Sequence, residues 1–66
     1  MTPLTQNIRR LRIAAGISQE NAARRLGVTM GTWWRWETGR HKPDLDTLQR
    51  IADLLQTTPS KLLEEQ

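Results

Sequence analysis

Apolar residues in this chain recur at helical spacing. Leu4, Ile8, Leu11 and Ala15 lie three or four residues apart; Ala22 and Ala23 stand four and three residues before Leu26, Trp33 three before Trp36, and Ile51 and Ala52 three and four residues from both Leu48 and Leu55, with Leu62 and Leu63 marking a last short segment. Residues at that spacing share one face of a helix. No stretch alternates apolar and polar residues for long enough to suggest a strand, so the pattern predicts an all-α fold of five short helices.

The punctuation between stripes sets the boundaries. Thr2 and Pro3 read as cap and first residue of helix one, which Gly16 ends; Ile13 falls off its stripe. Ser18 caps the second helix, with Glu20 near the positive end of its dipole, and Gly27 ends it. Thr29 caps a third, with Val28 in the turn and Gly39 placed to stop it in the left-handed conformation. Asp46 with Gln49 three residues on makes a capping-box signal for the fourth, with Leu45 packing just before it; Thr58 and Pro59 open the fifth. The expected layout is one domain over residues 1–66, with a tight turn at 27–29 and the third helix over about 29–38. All connections are short, which favours a compact bundle.

Composition narrows the chemistry. The 66 residues include no cysteine, which excludes disulfides, thiolate metal sites and a cysteine nucleophile and suits a reducing compartment. His41 is the single histidine, in a charged stretch Gly39-Arg40-His41-Lys42-Pro43 that reads as loop, so neither a metal site nor a cofactor is expected. No Ser-His-Asp arrangement or phosphate-cradling glycine loop is present, which argues against an enzyme with a small-molecule substrate. No apolar run approaches the ~20 residues of a membrane helix and no signal-peptide layout opens the chain, so the cytoplasm is expected and a membrane is not.

Charge adds a direction. The net charge is +3, yet residues 1–43 hold eight Arg and Lys against Glu20 and Glu37, net +6, while residues 44–66 hold two basic against five acidic residues, net −3. One end favours a polyanion and the other avoids it.

Residues 19–38, QENAARRLGVTMGTWWRWET, combine these signals as helix, glycine turn, helix. Ala23 keeps the first helix slim where the second crosses it, Gly27 allows the positive backbone angle, and Leu26, Val28, Trp33 and Trp36 face a shared core. With Trp33 and Trp36 inward, the outward set of the second helix is Met30, Gly31, Trp34, Arg35 and Thr38. Such a helix fits the B-DNA major groove, ~12 Å wide. Arg35 is then suited to guanine O6 and N7, Met30 to a thymine methyl, and Trp34 to sugar rings or thymine methyls.

Ile8-Arg9-Arg10-Leu11-Arg12, Gly16-Ile17-Ser18-Gln19-Glu20, Leu26-Gly27-Val28-Thr29, Trp36-Glu37-Thr38-Gly39 and Leu48 to Leu55, in that order, cover nearly the whole chain. In this order it resembles the phage repressor and Cro (XRE) family of five-helix, lambda-repressor-like regulators. The resemblance implies sequence-specific binding to double-stranded DNA by a transcriptional regulator, repressor or activator, often as a dimer on a two-fold operator. By position, Thr29, Met30, Gly31 and Arg35 match base-reading residues, while Gln19 and Thr32 match phosphate contacts. The loop after the recognition helix, here Arg40, His41 and Lys42, touches the DNA backbone in the family, and Thr38 is expected beside it. Arg12 and Glu37 match a structural salt bridge between the first and third helices. Relatives often carry polar residues where this chain has Met30 and Gly31, and an aliphatic one in place of Trp33.

The sequence therefore points to a regulator of repressor type, or to an engineered DNA-binding module on the same scaffold. The alternative is an antitoxin-like protein-interaction module that also binds operator DNA, although the acidic end leaves almost no extra segment for a toxin. RNA is disfavoured because Trp34 alone is an exposed stacking platform. Leu62, Leu63 and Ile13 are candidates for a small homodimer patch, with a monomer as the other expectation.

Overall fold

The computed structural model describes residues 3–64, and among these every regular element is a helix: α1 (Pro3–Ala14), α2 (Gln19–Leu26), α3 (Met30–Thr38), α4 (Leu45–Leu54) and α5 (Pro59–Leu62). Four of the helix starts share one device. Ser18, Thr29, Asp44 and Thr58 are extended, and each side-chain oxygen accepts the backbone N–H three residues on, from Asn21, Thr32, Thr47 and Lys61. This satisfies one of the donors that a helix start leaves without a partner. The expected cap Thr2 lies outside the described residues.

The start of α4 corrects the sequence expectation. The cap is Asp44, whose Oδ1 accepts from Thr47 N at 2.8 Å, and Asp46 sits within the first turn. Gln49 donates to Asp53 Oδ1 at 2.9 Å and does not reach back to the helix start. Two aspartates stand two residues apart here; only the one with extended backbone can cap, while the other gains from the dipole. The Thr47 hydroxyl and then the Thr47 N–H hold the Asp44 carboxyl below its ordinary value by favouring its ionised form. Leu45, expected to pack, is 83% exposed because the helix already begins there and turns it outward. Ala15 lies beyond the end of α1 and is exposed.

The first four helices end alike. Gly16, Gly27 and Gly39 have φ of 72°, 71° and 79°, and the N–H of the next residue reaches the carbonyl five back: Ile17 to Arg12, Val28 to Ala23 and Arg40 to Arg35. At Gly39 a Cβ would also lie 3.4 Å from Thr5 Oγ1, the near edge of ordinary contact, so the left-handed backbone is what asks for glycine. Helix α4 uses the same closure, Thr57 N to Ala52 O at 2.9 Å, but its left-handed residue is Gln56, φ 56°. A side chain in that region costs ~1–2 kcal/mol relative to the right-handed one, which the bonds of Gln56 N to Asp53 O and Thr57 N to Ala52 O help to offset.

The core is Ile8, Ala22, Ala23, Leu26, Trp33, Trp36, Leu48, Ile51, Ala52, Leu55 and Leu62, with Leu4, Leu11, Ile17, Val28 and Leu54 against it. Ala22 and Ala23 let α2 approach closely, and Trp33 and Trp36 fill the space beneath α3 edge to face, centroids 5.9 Å apart. Leu62 is fully buried, because α5 docks on both α1 and α4; it is removed from the expected surface patch, while Leu63 and Ile13 stay exposed.

One polar side chain fastens the ends of the chain together. Asn7 is fully buried, and its Nδ2 donates to the carbonyls of Leu62 and Glu64, each at 2.8 Å, while Oδ1 accepts from Arg10. These carbonyls are acceptors that the short α5 cannot satisfy within itself. Arg50 plays a similar part between α4 and α2, donating to Leu26 O at 2.7 Å.

Candidate nucleic-acid interface

Helix α3 is amphipathic in two senses. Its inner side carries Trp33, Trp36 and Glu37, all buried; its outer side carries Met30, Gly31, Trp34, Arg35 and Thr38, all exposed. The turn from α2 into α3 is three residues, Gly27, Val28 and Thr29, with Gly27 left-handed and Thr29 capping. So short a connection fixes the second helix against the first.

Beneath α3, Glu37 collects the polar groups of three helices. Its carboxylate accepts from Arg12 Nε, from Arg12 Nη2 at 3.3 Å, from the Trp33 indole N–H and from Gln19 Nε2 at 3.1 Å. Arg12 Nη1 continues to Ile17 O at 2.8 Å, tying the α1–α2 turn into the same set. The Arg12–Glu37 pair is therefore present, with Glu37 3% exposed. A buried carboxylate needs its lone pairs filled and its charge balanced; Arg12 does both. The indole and amide donors were not foreseen, although the four-residue step from Trp33 to Glu37 is the spacing at which helical side chains meet.

Gln19 is consequently half-buried and gives one amide hydrogen to Glu37, keeping a second donor. Thr29 Oγ1 accepts from Thr32 N at 3.1 Å and pairs with Thr32 Oγ1 at 3.0 Å. Thr38 Oγ1 donates back to Trp34 O at 2.8 Å, which uses its hydroxyl hydrogen within the helix. Among the outward residues, Arg35 is the one polar side chain with its guanidinium unpaired among the described residues; Met30 is 53% and Trp34 42% exposed. The Arg40 guanidinium lies 5.3 Å from the Trp34 ring centroid, a cation–π contact that ties the following loop to the outer face. His41 and Lys42 follow it, exposed.

Gly31 has an open surround. A Cβ there would meet only Thr29 Oγ1, at 3.9 Å, an ordinary contact. Nothing in the packing of the described residues asks for glycine at this point. Among the described residues no group of three or more His, Cys, Asp or Glu could hold a metal ion, and no helix is long and apolar enough to cross a membrane.

Known proteins share this arrangement. The family model described as a helix-turn-helix domain matches residues 4–65. The SPbeta prophage-derived uncharacterized HTH-type transcriptional regulator YonR of Bacillus subtilis (strain 168) is 30% identical over 59 residues, 89% of this chain and 55% of that protein. The chain spans about half the length of the curated relatives it matches. Among solved structures, a hypothetical transcription factor NHTF from Neisseria superposes with a TM-score of 0.88 at 28% identity, covering 96% of this chain and 72% of that one. The Fe(II) form of HppE also superposes with a TM-score of 0.88 at 28% identity, covering 96% of this chain and 33% of that one. With a family model matched over nearly all of its residues and the tight turn, capped α3 and buried Trp33 and Trp36 in place, the chain belongs to the helix-turn-helix domain family.

Proposed function

We propose that this domain binds double-stranded DNA with α3 in the major groove, as the DNA-binding part of a transcriptional regulator of repressor type in the cytoplasm. One observation carries the reading: α3 commits its inner side to the core and leaves Met30, Gly31, Trp34 and Arg35 in solvent, on the half of the chain with net charge +6. The relatives' description as transcriptional regulators supports it.

In this reading Thr29, Met30, Gly31, Trp34 and Arg35 face base edges. Gln19, Thr32, Thr38, Arg40, His41 and Lys42 face the sugar-phosphate backbone. Gln19 can reach a phosphate with its second amide hydrogen while Glu37 holds the first. Thr38 would have to release its bond to Trp34 O to donate outward. Nine residues of α3 span ~13.5 Å, enough for one pass along the groove. A two-fold operator would engage two copies, one recognition helix in each half-site.

The test is binding to random-sequence duplex against ionic strength. Affinity should fall by roughly 0.9 log units per log unit of salt for each phosphate neutralised. A flat response would overturn the proposal. Arg35→Ala should cost a selected site ~5- to 150-fold, the loss of one two-pronged guanine contact, and random duplex much less.

A further inference from the structure

The outer face of α3 has an unusual balance of groups for reading bases. Thr29 Oγ1 accepts at the helix cap and shares one hydroxyl hydrogen with Thr32, so the pair keeps a single free O–H, and Thr38 bonds back to its own helix. No Asn or Gln occurs in α3, so the two-pronged contact that identifies adenine has no donor-acceptor side chain to make it. Beyond that hydroxyl, the outer face offers one guanidinium, Arg35, and two exposed apolar side chains, Met30 and Trp34, four residues apart on the same strip. Between them Gly31 leaves a gap in the wall of side chains, and the Arg40 guanidinium lies over the indole, 5.3 Å from its centroid.

In the major groove one base pair displays an apolar group: the thymine C5-methyl. We propose that Met30 and Trp34 read a pyrimidine C5-methyl group in the major groove beside a guanine held by Arg35, so that thymine and 5-methylcytosine are accepted at that position and uracil and unmodified cytosine are not. This rests on the DNA-binding reading above. The charge distribution supports duplex DNA as the occupant of this apolar strip, because the unpaired Arg35 shares the face and Arg40 and Lys42 follow it. Met suits the role, since its flexible thioether can follow a methyl group whose depth depends on local helix shape.

The experiment starts from a duplex selected from a random library by this chain. Each thymine of the selected site is replaced in turn by deoxyuridine, which removes the methyl and leaves base pairing intact. At the read position affinity should fall about four-fold, the value of burying one methyl. Replacing the same T·A pair by C·G should weaken binding, and methylating that cytosine at C5 should restore a comparable factor. In Met30→Ala and Trp34→Ala, each checked for an unchanged thermal midpoint, the uracil effect should shrink toward one-fold. Uracil tolerated at every position would overturn methyl reading and leave DNA binding standing. A uracil effect that persists undiminished in both variants would overturn the assignment to Met30 and Trp34. Failure of every duplex to bind at low salt would overturn the underlying reading itself.

Discussion

The two sides of α3 differ in how completely their groups are used. Inside, Glu37 accepts from Arg12, Trp33 and Gln19, and the rings of Trp33 and Trp36 meet edge to face. Outside, Met30 and Trp34 stand in water, Arg35 has no acceptor among the described residues, and Gly31 has room for a side chain it does not carry. The inner side is what a stable fold requires. The outer side is not, since exposed apolar groups and a helical glycine each lower stability or solubility without return inside the monomer. Stability and binding should therefore respond to separate residues of one nine-residue helix.

The largest effect should come from breaking the inner side. Glu37→Ala leaves Arg12 Nε and Nη2 and the Trp33 N–H without their acceptor in a largely buried place. That should cost ~3–5 kcal/mol, measured by chemical denaturation. Leucine has similar bulk but also lacks the acceptor, so Glu37→Leu should be nearly as damaging; Glu37→Gln, which keeps one carbonyl oxygen, should fall between. If Glu37→Ala changes stability by less than 1 kcal/mol, the inner set is decoration and the contrast between the two sides fails.

Thr29 tests where the boundary runs. By sequence it belongs with the outward base readers, but its hydroxyl holds Thr32 N and Thr32 Oγ1. Thr29→Ala should cost ~1 kcal/mol of stability as a lost cap. Thr29→Asp keeps a cap and adds favourable charge at the positive end of the helix, so stability should be held or improved. In the strongly negative potential of the groove, the same carboxylate should weaken duplex binding. Unchanged affinity in Thr29→Asp would move Thr29 wholly to the folding side.

Much of this contrast could be read from the chain before the fold was described. Stripe spacing placed Trp33 and Trp36 inside and Trp34 outside, and Gly16, Gly27 and Gly39 marked three helix ends, because each signal depends on local backbone geometry. Signals that depend on distant partners were not legible. Asn7 lies three residues after Leu4, on the apolar stripe of α1, which hints at burial, but its carbonyl partners stand 55 and 57 residues away. Gln56 closes α4 in a conformation that sequence assigns to glycine, and no residue signal marks the turn there. The sequence pointed to Asp46 as the cap of α4, whereas the backbone after Pro43 gives that place to Asp44. For the outer face, the exposed set was foreseen; the hydroxyl bonds of Thr29, Thr32 and Thr38 and the Arg40 contact with Trp34 were not, since each needs a torsion that sequence does not fix.

The smallest expected change has the most diagnostic sign. Gly31→Ala places a methyl where only Thr29 Oγ1 lies within 4 Å, so the free protein should gain up to about 1 kcal/mol of helix stability. If the glycine serves close approach to a base edge, the same methyl should weaken binding to a selected duplex, and stability and affinity would move in opposite directions. If both rise or affinity is unchanged, the gap at Gly31 is incidental to recognition, and the reading surface reduces to Arg35 with its apolar neighbours. Thermal midpoint and duplex affinity measured on the same preparation separate these outcomes, because a folding defect would lower both and neither alternative predicts that.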